Sequence, residues 1–329
     1  MEALIDIPVL LIFFNRPSKI KEVFSAVKQA KPARLYLYQD GVRSGREDDI
    51  DNVRLCREIV SDVDWDCEVH TYYQDKNYGC DPSEFIAQRW FFDNEEYGIV
   101  LEDDDVPSVS FFRFSKELLE KYKDDERVAI ICGMNNYDIN ESVQESYFFS
   151  KRGSIWGWAS WRRFIDLWDE KYEWINDNDK CEKIKQYCTD GLDYELFYSI
   201  AQTHKMSGRA HYESIMFACA AMNNMVNIVP KYNMISNIGV DKETTHGVSD
   251  IRLLSKRARK LLYKKTYETG FPLVHPTSIT VDVNYDRKYR MTKFQRINEN
   301  IEKGFRRMIY GDFRGLVNKI KNRITNKNK

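Results

Sequence analysis

Glu102, Asp103, Asp104 and Asp105 are four consecutive carboxylates, placed directly after the apolar run Tyr97-Gly98-Ile99-Val100-Leu101. A buried strand accounts for the apolar half. Folding offers no reason for the acidic half: adjacent carboxylates repel one another, and gathering them at a strand end is unfavourable unless a cation sits there. Hard divalent cations such as Mg2+ or Mn2+ prefer carboxylate oxygen. A metal held this way can neutralise the oxygens of a diphosphate. A solvated acidic loop is the plainer reading, but the abrupt junction with a strongly apolar strand favours the metal.

Three further groups of residues have chemistry to offer. The run Ile155-Trp156-Gly157-Trp158-Ala159-Ser160-Trp161 brings three tryptophans together. Trp158 and Trp161 are three apart, which fits one face of a helix. Gly157 between Trp156 and Trp158 fits a loop where backbone and ring approach a ligand. Sugar faces stack on aromatic rings, so Trp156 and Trp158 are candidates, with a core cluster as the alternative for Trp161. Asp40, in Gln39-Asp40-Gly41, is either a ligand contact at a strand end or part of a plain turn. His246 follows Asp241-Lys242-Glu243-Thr244-Thr245 in a polar loop, where a buried core role is not expected.

The elements that must carry these residues alternate between strand and helix. Pro8 to Phe14 reads as a buried strand, and Pro17 starts a helix with Ile20, Val23, Phe24 and Val27 at helical spacing. Leu35–Tyr38 and Val69–Tyr73 read as strands, Asp49–Val63 and Pro82–Asn94 as helices. After the acidic run come a helix over Ser108–Tyr122 and a strand over Val128–Cys132. Such alternation predicts a mostly parallel sheet with helices on both faces, and ligands in such sheets bind at the carboxyl ends of the strands. Asn15-Arg16, Asp40, Asn77 and the acidic run all fall there. The second half is less regular. Asp177–Arg209 is charged and helical.

The chain has 329 residues and a formal net charge of −1, so no global field for nucleic acid exists. The charge is uneven. Arg296 to Lys329 holds ten Lys/Arg and three Asp/Glu, a net of +7, leaving −8 for the rest. Seven cysteines at spacings unlike any zinc motif read as reduced thiols of a cytosolic protein. The start Met1-Glu2-Ala3-Leu4-Ile5-Asp6 does not read as a secretory signal, and no apolar run approaches membrane-spanning length. A cytoplasmic protein is expected. In the tail, Ile297, Ile301, Phe305, Met308 and Ile309 keep helical spacing among basic residues. Such a segment can lie on an anionic membrane surface, pack on the main body or mediate self-association.

The ordered set of motifs resembles glycosyltransferases of the GT-A superfamily. Ile7 to Ile12 with Asn15-Arg16-Pro17, then Gln39-Asp40, Asn77-Tyr78-Gly79, Ile99 to Asp104 with Phe111-Phe112, and Cys132 to Asn136 are similar to N-acetylglucosaminyltransferase I. Trp156 to Arg163, Ser236 to His246 and Pro272 to Pro276 resemble segments of bacterial surface-polysaccharide glycosyltransferases. The resemblance covers roughly residues 7 to 277. It implies an α/β, GT-A (Rossmann-like) mostly parallel sheet flanked by helices, with a helical C-terminal extension. The catalytic domain would span 1–250, with a nucleotide-sugar half over about 1–125 and an acceptor half over about 126–250. The extension would cover 251–329, with a basic helical tail from about 295.

The activity implied is transfer of a sugar, with inversion, from a nucleotide diphosphate sugar (a UDP-sugar) to a hydroxyl of a glycan or lipid-linked glycan, assisted by Mn2+ or Mg2+. By the resemblance Asp104 binds the metal, with His246 as a second ligand for metal or diphosphate. Asn15, Arg16, Asp40, Asn77, Glu102 and Asp103 meet the nucleotide, ribose or metal waters. Asn135, Trp156 and Trp158 face the sugars. Asp105 departs from the pattern, where a non-acidic residue is common. An inverting transfer needs a base. Glu213 falls where the bacterial relatives carry aspartate, and Asp193 is the alternative. Two other readings stay open. One is a nucleotidyltransferase, disfavoured because Phe14-Asn15-Arg16-Pro17-Ser18 lacks a glycine-rich phosphate loop. The other is a non-catalytic binding protein on a degenerate transferase fold.

Overall fold

The structure, a computed structural model, describes residues 4–188, 191–240, 250–289, 291–310 and 312. Four strands build one half of the sheet: β1 (Ile5–Phe13), β2 (Pro32–Gln39), β3 (Glu68–Tyr73) and β4 (Tyr97–Glu102). They are joined by α1 (Pro17–Ala30), α2 (Glu47–Val60) and α3 (Cys80–Asn94). These boundaries follow local chemistry. Pro17 opens α1 with its φ pre-set for a helix, and Ile20, Val23, Phe24 and Val27 form its buried stripe.

The chain continues through β5 (Asp105–Pro107), α4 (Ser110–Lys121), β6 (Val128–Cys132), β7 (Tyr147–Ser150), β8 (Trp158–Trp161) and α5 (Arg162–Ile165). Then come α6 (Asn178–Tyr187), α7 (Gly191–Ser207), α8 (Tyr212–Met222), β9 (Val226–Pro230) and β10 (Ile235–Asn237). The last helices among the described residues are α9 (Lys256–Arg259), α10 (Val283–Tyr289) and α11 (Lys293–Ile309).

Eight strands form the main sheet in the order β3-β2-β1-β4-β8-β6-β9-β7. The β3-β2-β1-β4 half is wholly parallel, and β6 and β9 run the same way. Only β8 and β7 oppose them. The sheet is therefore mostly parallel, and its strand carboxyl ends share one edge. Burial on both faces explains the continuous apolar reading of β1. Val9, Leu11 and Phe13 pack under α1, α2 and α4, while Leu10 and Ile12 pack with α3, α5 and α8. A satellite core around Trp174 and Ile184 joins α6 and α7 to α8.

The tryptophan run departs from the helical expectation. Trp158 and Trp161 lie in strand β8, in the middle of the sheet, and belong to the two opposite cores. Residues three apart on a strand point to opposite faces. The segment after Asp250 folds back on the sheet. Glu268 accepts from the Val109 and Ser110 backbone N–H groups (3.1 and 2.7 Å) at the start of α4, and Tyr285 is buried in the core beside Phe148.

Candidate active site

A cavity of about 320 Å3 opens at the carboxyl ends of β1, β2 and β4. Glu102 and Asp104 line it and Asp105 lies buried beneath them, and the three each offer a carboxylate oxygen, all within 4.8 Å of one another. The strand-to-loop turn at Glu102 fixes this grouping, because β4 ends there and β5 begins at Asp105. Short strand β10 pairs antiparallel with β5, setting Asn237 opposite Asp105. The Asn237 amide donates to both Asp104 Oδ1 (3.0 Å) and Asp105 Oδ1 (3.1 Å). Gly239 follows at close approach, where a Cβ would collide with the Asp104 carboxylate.

Asp103 turns instead toward Arg16, at the start of α1. The guanidinium forks onto Asp103 through Nε (3.2 Å to Oδ2) and Nη2, and Nη2 also reaches Asp104 Oδ2 at 2.8 Å. Burial lowers the affinity of Arg16 for its proton, but the two aspartates outweigh it and hold the group charged. One guanidinium faces four carboxylates, so the cluster remains under-neutralised. Burial, then mutual repulsion, pushes the Glu102 and Asp105 carboxyls well above the usual range, and burial raises Asp104 despite Arg16. Once ionised, these three hard oxygen donors, Glu102 half-buried and Asp104 and Asp105 buried, fit a divalent cation, whose charge would offset the repulsion. Asp105 is the deepest: it is fully buried and also accepts from the Gly157 N–H at 2.9 Å.

Two residues that the sequence reading missed belong to this wall. Glu84 of α3 lines the cavity, and burial pushes its carboxyl up to about 7. Tyr212 of α8 donates its hydroxyl to Glu102 Oε1 at 2.9 Å. The only sequence signal for either was a polar group on an otherwise apolar helix face.

The expected nucleotide residues are at the same edge, with their roles refined. Asp40 lines the cavity, but its carboxylate accepts from the backbone N–H groups of Gly41, Tyr78 and Gly79 and from Asn77 Nδ2 (2.8 Å). A carboxylate has about four lone-pair sites, so Asp40 and Asn77 chiefly shape the 77–79 loop. Asn15 is buried and donates to Asp49 Oδ1 at 2.6 Å. His246 lies outside the described residues.

A second cavity, of about 490 Å3, shares Trp156 with the first. Trp156 is half-buried and lines both. Glu213, in the first turn of α8, is exposed and also lines the second cavity; partial desolvation and then nearby Asp81 raise its carboxyl. Three expectations need correction. Trp158 is fully buried and stacks on Phe92, so it cannot meet a sugar. Asn135 is fully buried, its amide nitrogen donating to the Pro230 and Lys231 carbonyls (3.0 Å each) and its oxygen accepting from the Tyr137 N–H. It is scaffold rather than a sugar contact. Asp193 is held by two arginines, Arg152 (2.7 Å) and Arg296 (2.9 Å), which makes it a tie rather than a free base.

No protein-family model matches the chain, and neither does any curated protein. Among solved structures the chain is similar to an apo UDP-glucose pyrophosphorylase, with 8% identity over 71% of this chain and 93% of that one, at a TM-score of 0.38. It is also similar to mouse xyloside xylosyltransferase 1 (12% identity, 66% and 82% covered, TM-score 0.34) and to HddC from Yersinia pseudotuberculosis (11%, 49% and 79%, 0.30). Likeness at this level assigns no activity.

Proposed function

We propose that the chain is a metal-dependent glycosyltransferase that moves a sugar from a nucleotide diphosphate sugar to a hydroxyl acceptor, with inversion. The observation that carries this reading is the buried Glu102–Asp104–Asp105 oxygen cluster at the strand carboxyl ends, beside a second cavity reached across Trp156. Glu102, Asp104 and Asp105 would hold Mn2+ or Mg2+, which supplies charge neutralisation for the departing diphosphate. Arg16 keeps Asp103 and Asp104 oriented. Asn237 holds the Asp104 and Asp105 carboxylates in one arrangement, so little reorganisation is needed on binding. The donor nucleotide, a UDP group by resemblance, would lie along the Asp40 and 77–79 wall. The acceptor, a glycan or lipid-linked glycan, would occupy the second cavity. Glu213 takes the proton from its hydroxyl, and its raised carboxyl brings its pKa nearer the operating pH.

A nucleotidyltransferase remains the second reading. Against it, the segment after β1, Phe14-Asn15-Arg16-Pro17-Ser18, has no glycine, and its basic residue Arg16 is engaged by Asp103 and Asp104. One experiment separates the two. The chain is incubated with a panel of nucleotide sugars, with and without Mn2+. Metal-dependent release of nucleoside diphosphate supports sugar transfer. Formation of nucleotide sugar and pyrophosphate from a sugar 1-phosphate and nucleoside triphosphate, with no diphosphate release, overturns it.

A further inference from the structure

Helix α11 is amphipathic in the opposite sense to α1 and α4, which bury their apolar stripes. Its polar stripe faces the protein. Arg296 reaches Asp193 at 2.9 Å, and Glu299 accepts from Ser255 Oγ at 2.8 Å. Glu302 accepts from the Lys256 N–H at 2.9 Å, and Arg306 donates to the Arg252 carbonyl at 3.3 Å. Its apolar stripe, Phe294, Ile297, Ile301, Phe305 and Met308, points to solvent with exposures from 49% to 70%. Thr292 and Gln295 form a capping box that fixes where the helix begins. Turning the apolar face inward would break all four tethers, so the orientation is specified rather than incidental. Left in water, such a row is unfavourable and marks an interaction surface.

Charge identifies the occupant. Lys256, Arg257 and Lys260 are exposed across a groove from the polar side of the helix, where Glu299 and Glu302 form the facing wall, and Lys293 is exposed at the helix start. The sequence beyond Asp312 adds six Lys/Arg and no acid. An exposed apolar stripe on a helix with exposed cations beside it and a basic sequence after it complements the surface of an anionic bilayer, where acyl chains lie beneath negative headgroups. No helix among the described residues is long and apolar enough to cross a membrane. We propose that α11 docks in the plane of an anionic lipid surface, its apolar stripe among the acyl chains and the flanking cations at the headgroups. The proposal does not depend on the transfer reading, though it bears on the acceptor. Asp193 binds Arg296 of α11 and Arg152 on the rim of the second cavity, so the docked helix holds that cavity near the lipid.

The test is co-sedimentation of the full chain with vesicles of phosphatidylglycerol and phosphatidylcholine in equal parts, against vesicles of phosphatidylcholine alone. The wild type is expected to pellet with the anionic vesicles at least about tenfold more strongly than with the neutral ones. The double variant I301E/F305E should lose about tenfold or more of that binding. Its thermal melt should be unchanged, because both side chains already face solvent. Equal pelleting by the double variant overturns the proposal, as does failure of the wild type to pellet. A wild-type dimer that the double variant splits, without vesicle binding, overturns it in favour of a second copy of the chain. Because the readout is lipid binding alone, its failure is distinguishable from failure to release nucleoside diphosphate.

Discussion

Asp104 carries the sharpest test of the acidic cluster. The structure buries it against Arg16 and Asn237. In Asp104→Asn the new amide oxygen still accepts from Asn237, and Arg16 keeps Asp103. One like charge leaves a crowded, desolvated group, so the melting temperature in EDTA should hold or rise. Mn2+-dependent UDP binding, followed by calorimetry, should fall by about 100-fold or more, beyond the usual effect of changing a ligand's neighbour. Unchanged binding would remove Asp104 from the metal set. Glu213 is tested by rate. Glu213→Gln should lower kcat by about 10²–10⁴-fold, the usual worth of a general base, with donor affinity nearly constant. Ordinary turnover would move the base elsewhere. The acids at the end of β4 were legible because a charge run after an apolar strand has no folding explanation. Asn237 was not: it lies 133 residues from Asp104, and only the pairing of β10 with β5 brings them together.

Periodicity revealed those elements whose burial is one-sided or whose apolar run is uninterrupted. It placed β1 to β4, α1 to α4 and β6 within a few residues. It failed at β8, a four-residue strand buried on both faces, whose tryptophan spacing fits a helix equally well. It also gave no sign that Asp193 on α7 would sit between Arg152 and Arg296. That arrangement makes Asp193 the joint between α7, the second cavity and α11. An asparagine in its place, neutral and with a single acceptor oxygen, can satisfy one arginine only partly. Asp193→Asn should therefore destabilise the fold by roughly 1.5–3 kcal/mol, the range for hydrogen bonds to charged groups. The pH profile of kcat should keep its shape, which chemical denaturation and a pH–rate series would show together. A stable Asp193→Asn protein with the turnover loss expected of a missing base would restore Asp193 to the chemistry and displace Glu213.

Across the whole molecule the net charge is only −1, yet carboxylates gather around one cavity while cations gather near α11. The folded state therefore holds protons that the unfolded chain would release. Glu84 shows the consequence. Burial lifts its carboxyl from an ordinary 4.5 to about 7. Below the lower value both states are protonated and Glu84 has no pH-dependent effect. As pH rises through the window between them, the unfolded chain ionises first, and stability is lost until the folded carboxyl has ionised too. At one pKa unit per about 1.4 kcal/mol, the loss between about pH 5 and pH 8 is on the order of 2–3 kcal/mol. Glu84→Gln removes this titration while leaving an oxygen to face Cys80 Sγ. Denaturant melts in EDTA should show the wild type losing stability across that window more steeply than Glu84→Gln, the two converging toward pH 5. Parallel slopes would mean that Glu84 is ionised in the folded protein throughout. In that case burial does not govern the Glu84 carboxyl.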